Sequence, residues 1–216
     1  MYKAPAHYYS KQPQADSRRF TITYELRGAY ELTFTSDSGV FSKRRVDFGT
    51  DLLIRSIPPI SGRALDLGCG YGAAGIALSL LNPGVDMWFA DINERAVELC
   101  RENYARLIAN PTPKQPTPNQ PIPNIVCSDG FDALGDSLFD TVFFNPPIRT
   151  GKANVYRLYG EVFSHLANNG AFYLVIQKKQ GMESTFSELE RLFGNCADIA
   201  RKAGYHILVS KKIPNA

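Results

Sequence analysis

The stretch Phe143-Phe144-Asn145-Pro146-Pro147-Ile148 constrains this chain more than any other. Phe139, Val142, Phe143 and Phe144 form an apolar run of strand length, which reads as a buried strand. Pro146 and Pro147 carry no backbone N–H, so a sheet ladder cannot pass them. Asn145 is pushed towards extended geometry by the proline that follows it. The Asn145 amide and the Pro146 carbonyl are therefore expected as fixed polar groups at a strand's carboxyl end. In an open α/β sheet, ligands bind at that end.

From Arg63 onward, strand and helix patterns alternate. Strands are expected over 64–67, 85–90, 125–127, 141–144 and 171–176. Helices are expected up to Leu81 and over 94–108, 155–166 and 185–193. Segments 196–201 and 205–210 read as a closing hairpin. In the helix over 94–108, Ala96, Val97, Leu99, Cys100, Tyr104, Leu107 and Ile108 recur at helical spacing. The order predicts an α/β fold: a Rossmann-like, doubly wound, seven-stranded, mostly parallel sheet with a C-terminal antiparallel hairpin. Ahead of it, 20–26 and 29–34 alternate with period two and predict an N-terminal β-hairpin. A short helix is expected from Gly49 to Ile57, with Thr50 as N-cap and Pro58-Pro59 as its stop.

The bulk properties set the frame. With 216 residues, 44% of them hydrophobic, the chain suits a single domain with a substantial core. Residues 1–19 read as a flexible arm and 20–216 as one domain. Proline recurs so often over 111–123 that an extended surface loop is expected there. No membrane-length apolar run and no secretory h-region is present, so a cytoplasmic setting is expected. Cys69, Cys100, Cys127 and Cys196 form no CxxC pair, which argues against a metal site or a disulfide framework. A net charge of +3 is too small to identify a nucleic-acid partner by itself.

The chemistry begins at Asp66-x-Gly68-x-Gly70-x-Gly72, placed between a strand and a helix. Such glycines permit a tight turn and close approach of a ligand to the backbone, beside a helix N-terminus rich in free N–H groups. Gly68-x-Gly70-x-x-Ala73 also satisfies a dinucleotide fingerprint, and Asp91 would bind ribose hydroxyls in either case. Asn-Pro-Pro separates the two. A nicotinamide enzyme has no physical need for it, whereas an enzyme that methylates a planar amine does. If the Asn145 oxygen and the Pro146 carbonyl accept the amine's two N–H bonds, its lone pair leaves conjugation and can attack a methyl group in line. Positioning and fixed dipoles carry such catalysis.

These segments, with Thr35-Ser36-Asp37-Ser38-Gly39-Val40-Phe41-Ser42 and Val46-Asp47-Phe48-Gly49-Thr50, resemble the small-domain family of class I S-adenosylmethionine-dependent methyltransferases. That family includes ribosomal RNA guanine-N2 methyltransferases. The resemblance spans about residues 20–212. It implies that Asp66, Gly68, Cys69, Gly70 and Gly72 surround the methionine half of S-adenosylmethionine. It implies that Asp91 binds the ribose and Ile92 packs on the adenine. Asp129, with Gly130 and Phe131, would meet the adenine amine. Asn145, Pro146, Pro147 and Ile148 would form the catalytic tetrad, with Asn145 also near the cofactor. Ile148 departs from the aromatic residue often found there, which argues against an adenine-N6 acceptor. The extra N-terminal domain of the larger relatives is not expected here.

The resemblance further implies a ribosomal RNA or ribosomal-subunit partner. Topology sends Lys43, Arg44, Arg149, Lys152 and Lys178 to the cofactor rim, where a phosphate backbone could lie, and Lys211-Lys212 away from it. Three competing readings remain at this point. One is a protein glutamine-N5 or adenine-N6 methyltransferase, and another a small-molecule methyltransferase. The third, from a different class, is a noncatalytic RNA-binding module that keeps the fold.

Overall fold

A computed structural model describes residue 11 and residues 16–28, 30–42, 44–109 and 122–214. In chain order the elements are β1 (Arg19–Leu26), β2 (Tyr30–Asp37), α1 (Phe48–Ser56), β3 (Arg63–Leu67), α2 (Ala73–Leu81), β4 (Asp86–Asp91) and α3 (Glu94–Ala109). Then follow β5 (Asn124–Cys127), β6 (Phe139–Phe144), α4 (Lys152–His165), β7 (Leu166–Gln177), α5 (Met182–Phe193), β8 (Ala197–Lys202) and β9 (Tyr205–Lys211). Strands β1 and β2 form a separate antiparallel ribbon, and the other seven form one sheet in the order β5-β4-β3-β6-β7-β9-β8. All neighbours are parallel except β9, which runs antiparallel to both β7 and β8. The expected seven-stranded, mostly parallel sheet with its terminal hairpin is present.

Strand alternation divides the core. Ala64, Phe89, Phe143, Tyr173 and Ile207 point to the face covered by the ribbon, α1, α2 and α3. Leu65, Leu67, Val142, Phe144, Phe172 and Leu208 point to the face covered by α4 and α5. Each fully buried Leu, Ile or Phe of these layers contributes about 1.5–3 kcal/mol of hydrophobic stabilisation. Chain order reverses between β3 and β6, so the connections that leave these two strands diverge. The crevice at their carboxyl ends is the topological switch point.

The ribbon is tied to this crevice by buried polar groups. Its inner face (Ile22, Tyr24, Leu26, Leu32, Phe34) joins the core, while Thr21 and Thr23 face Thr35 and Thr33 on the outer side. The buried Asn103 side chain accepts from Thr35 N–H at 2.7 Å and donates to the carbonyls of Thr35 and Tyr71, each at 2.9 Å. Asp37, also buried, accepts from Ser17 Oγ (2.6 Å), Gly39 N–H (2.9 Å) and Arg95 Nη1 (2.9 Å). One carboxylate thus fixes the ribbon's end, the loop after it and the start of α3.

Three expectations change. Helix α1 starts at Phe48 and is capped by Asp47, whose side chain accepts from Gly49 N–H at 2.9 Å; Thr50 lies inside the first turn. Strand β7 starts earlier than expected, because Leu166 pairs with Phe139 before the register shifts ahead of Thr141. The end of the expected arm belongs to the domain: Arg19 begins β1, and the Arg18 carbonyl accepts from Ser38 N–H at 3.0 Å. The rest of the arm (1–10 and 12–15), most of the proline-rich loop (111–121) and Lys43 lie outside the described residues. Among the described residues no helix is long and apolar enough to cross a membrane, and no cluster of His, Cys, Asp and Glu could hold a metal ion.

Candidate active site

A cleft of about 340 Å³ opens at the carboxyl ends of β3, β4 and β6. Its floor is the turn from β3 into α2, which takes left-handed backbone at Gly68, Gly70 and Gly72. The N–H groups of Gly68 and Cys69 donate to the Ala90 carbonyl at 2.8 and 3.0 Å, which ties the turn to the end of β4. The glycines do different things. A Cβ on Gly72 would lie 2.8 Å from Cys100 Sγ and 2.9 Å from Ile76 Cδ1, whereas one on Gly70 would meet only Val40 Cγ1 at 3.9 Å. Gly72 lets α2 pack on α3. Gly70 leaves bare backbone towards the cleft.

Two carboxyl groups stand beside this turn. Asp66 accepts from Gly75 N–H at 2.8 Å. Asp91 accepts from Gly70 N–H at 2.8 Å and from Asn93 N–H at 2.9 Å. Burial pushes Asp66 up to about 8, the Gly75 N–H opposes this, and the negative charge of Asp91 adds to it. Burial also raises Asp91, against the pull of its two backbone donors. Two carboxyls held above their usual range in one small cleft form an arrangement that a cation completes. S-adenosylmethionine carries a sulfonium and an ammonium, so its charge and the open space over Gly70 fit these residues.

The loop after β2 makes the next wall. Asn93 Nδ2 donates to the Gly39 carbonyl at 2.9 Å, and Val40, Phe41 and Ser42 line the cleft beyond it. Opposite, Ser128, Asp129 and Gly130 line the cleft after β5. Asp129 is exposed and paired with Arg157 at 2.6 Å. Gly130 takes left-handed backbone (φ +55°), and a Cβ there would also lie 2.8 Å from Leu158 Cδ2 and crowd the Glu161 carboxylate.

The far wall holds Asn145, Pro146 and Pro147. Asn145 Nδ2 donates to Thr50 Oγ1 at 3.0 Å. Pro147 has φ −76° and ψ 70°, an inverse γ-turn, and Ile148 N–H donates to the Pro146 carbonyl at 2.9 Å. That carbonyl has a second lone pair, so one acceptor position remains beside the Asn145 oxygen.

Of the residues expected at the site, Asp66, Gly68, Cys69, Gly70, Asp91, Ile92, Asp129, Gly130, Asn145, Pro146 and Pro147 line the cleft. Gly72, Phe131 and Ile148 do not. Gly72 faces Cys100; Phe131 is buried and stacks on His165; Ile148 packs against the core beneath β6. Arg44, Arg149, Lys152 and Lys178 are exposed and none lines the cleft, although Arg149 and Lys152 flank Thr150, which does. Lys178 follows β7, where its N–H donates to the Gly204 carbonyl at 2.8 Å. Asp47, Thr50 and Asn154 line the cleft although none of them was given a place in the site from sequence. The Asp47–Thr50 segment stood out in the sequence, but nothing there shows which side chain meets Asn145.

Residues 31–209 match the methyltransferase small domain family. The chain belongs to this family. An uncharacterized Bacillus subtilis protein, YbxB, is 40% identical over 210 residues, covering 96% of this chain and 98% of that protein. Ribosomal RNA small subunit methyltransferase C of Vibrio cholerae is 30% identical over 199 residues, covering 90% of this chain and 53% of that one. The solved T. thermophilus 16S rRNA guanine-N2 methyltransferase, in complex with AdoMet and guanosine, aligns with a TM-score of 0.73 at 25% identity. The alignment covers 90% of this chain and 50% of that one, so the chain spans about half the length of the ribosomal RNA methyltransferases it matches. Membership makes the chain an S-adenosylmethionine-dependent methyltransferase, with S-adenosylmethionine as its cofactor.

Proposed function

We propose that this chain methylates the exocyclic N2 amine of a guanine in ribosomal RNA. The observation that carries the reading is the acceptor pair on the cleft wall: the Asn145 amide, held by Thr50, beside the Pro146 carbonyl. Gly68, Gly70, Asp66 and Asp91 would hold the cofactor's cationic half and ribose, with Ile92 against its adenine. When bound, S-adenosylmethionine supplies an electrophilic methyl group on a positively charged sulfur. The Asn145 oxygen and the free lone pair of the Pro146 carbonyl would each accept one N–H of the target amine. That draws the nitrogen's lone pair out of the ring and aims it across the cleft. The nitrogen becomes a cation on methylation and then loses a proton to solvent, so no buried base is needed. Preorganised acceptors of this kind contribute through position and fixed dipoles.

Three features support RNA and guanine as the acceptor class. Relatives that match most of this chain are named for ribosomal RNA. Arg44, Arg149, Lys152 and Lys178 are exposed, and contacts from such residues to phosphates position a nucleic acid without reading its sequence. Phe41 lines the cleft with 43% of its surface exposed, which offers an aromatic face to an unstacked base where Ile148 offers none. Ile148 is aliphatic, packs partly buried against the core and does not line the cleft, which weighs against a site built on an aromatic fourth residue.

The test is transfer of tritiated methyl from S-adenosylmethionine into total RNA of cells that lack this protein, followed by nucleoside analysis. Label in N2-methylguanosine is expected. Label in protein alone, or in another nucleoside, would overturn the proposal.

A further inference from the structure

We infer that Thr50 is a positioning residue that holds the Asn145 side chain in place at the cleft wall, an inference that rests on the role proposed for Asn145. The prolines fix the Asn145 backbone but not its side chain, whose terminal torsion is broad and nearly two-fold. Only the oxygen can accept an amine N–H; turned over, the amide would point its own N–H groups at the amine. Thr50 Oγ1 anchors this side chain from α1, accepting from Asn145 Nδ2 at 3.0 Å. With the nitrogen engaged there, the oxygen is left for the substrate.

Thr50 can do this because α1 is held in place. Asp47 caps it through Gly49 N–H at 2.9 Å. Asp51, the next residue, accepts from Tyr24 Oη at 2.7 Å and from Arg55 Nε at 2.8 Å. Gly49 lies so close to Tyr205 that an added Cβ would come within 2.8 Å of the ring. The helix is thus fastened to the ribbon on one side and to β9 on another. Threonine is β-branched and stiff at its first torsion, so its hydroxyl has little freedom once the helix is placed.

The experiment compares Thr50→Val, Thr50→Ser, Asn145→Ala and the double variant Asn145→Ala/Thr50→Val in the full chain, with RNA as acceptor. Valine matches the shape of threonine without its hydroxyl. Thr50→Val is expected to lower kcat by on the order of ten- to a hundredfold, the scale of losing the position of a reacting group. The KM for RNA, the S-adenosylmethionine affinity and the thermal midpoint should stay close to wild type. Thr50→Ser should restore most of the turnover, and the double variant should be no slower than Asn145→Ala. Wild-type kcat in Thr50→Val, no recovery in Thr50→Ser, or multiplying losses in the double variant would each overturn the inference. If Asn145→Ala is inactive while Thr50→Val is normal, this inference alone fails. If Asn145→Ala keeps its turnover, the role proposed for Asn145 fails and takes this one with it.

Discussion

Asp66 gives a pH dependence that can be worked out in advance. Its carboxyl is buried and pushed up to about 8, first by that burial. With such a value, roughly one molecule in ten carries the ionised form at pH 7. A cationic ligand favours the ionised form, so binding S-adenosylmethionine should drive the proton off. If binding required the ionised carboxylate, affinity would rise about tenfold per pH unit up to 8 and then level. Between pH 6 and 8 that is about fiftyfold, or about 2 kcal/mol, because only half the carboxyls are ionised at pH 8. Asp66→Asn keeps an acceptor for Gly75 N–H but has no proton to lose. Calorimetric titration at pH 7 in buffers of different ionisation enthalpy should show close to one proton released by wild type beyond any released in the variant. The ligand's own amine contributes equally to both proteins and cancels. The ligand-free protein should show the opposite trend in stability. The folded value is raised, so the stability that protonation contributes is full below the unfolded value near 4 and is lost as pH rises through about 8. Equal proton release in wild type and variant, with parallel affinity profiles, would refute the reasoning.

Other expectations concern the frame around the cleft. Gly72→Ala combines left-handed backbone with a 2.8 Å approach to Cys100 Sγ and should destabilise by about 2–4 kcal/mol. Gly84→Ala has a similarly positive φ but open space around it and should cost only about 1 kcal/mol, so equal denaturation midpoints would discount the Cys100 contact. Asp37→Ala removes the buried carboxylate that accepts from Ser17 Oγ, Gly39 N–H and Arg95 Nη1 and should cost about 2–3 kcal/mol, with weaker S-adenosylmethionine binding as the 38–42 loop loosens. Unchanged unfolding in urea would contradict that. Neutralising Arg44, Arg149 and Lys178 together should weaken RNA binding and flatten its salt dependence by about 0.7–0.9 log units per lost phosphate contact. An unchanged slope would remove the rim from the binding surface.

The parts of this fold that were legible in the sequence are those written in local sterics. Two prolines end β6 whatever the rest of the chain does, and three positive-φ glycines in five residues can make little but a sharp turn. Alternating strand and helix patterns then give the sheet and its switch point. Other features depend on contacts between distant residues. Asn145 and Thr50 are 95 positions apart, and nothing local marks them as partners. Asp47 and Thr50 both suit an N-cap; the choice follows from where the helix begins, which tertiary packing sets. Phe131 and Ile148 were expected at the cofactor and acceptor from the family resemblance, beside Asp129 and Asn145. The chain turns at Gly130 and again at Pro147; Phe131 then enters the core layer of α4 and α5, and Ile148 packs partly buried against it. Gly72 belongs to the glycine turn in sequence but serves helix packing in space.

The central claim is that Asn145 acts on the acceptor amine and not on the cofactor. The most direct measurement is single-turnover methyl transfer to RNA by Asn145→Ala, alongside the variant's S-adenosylmethionine dissociation constant. Transfer slowed by on the order of a hundredfold or more, with cofactor affinity within about twofold of wild type, is the predicted result. Transfer at the wild-type rate, or a loss explained entirely by weaker cofactor binding, would contradict it.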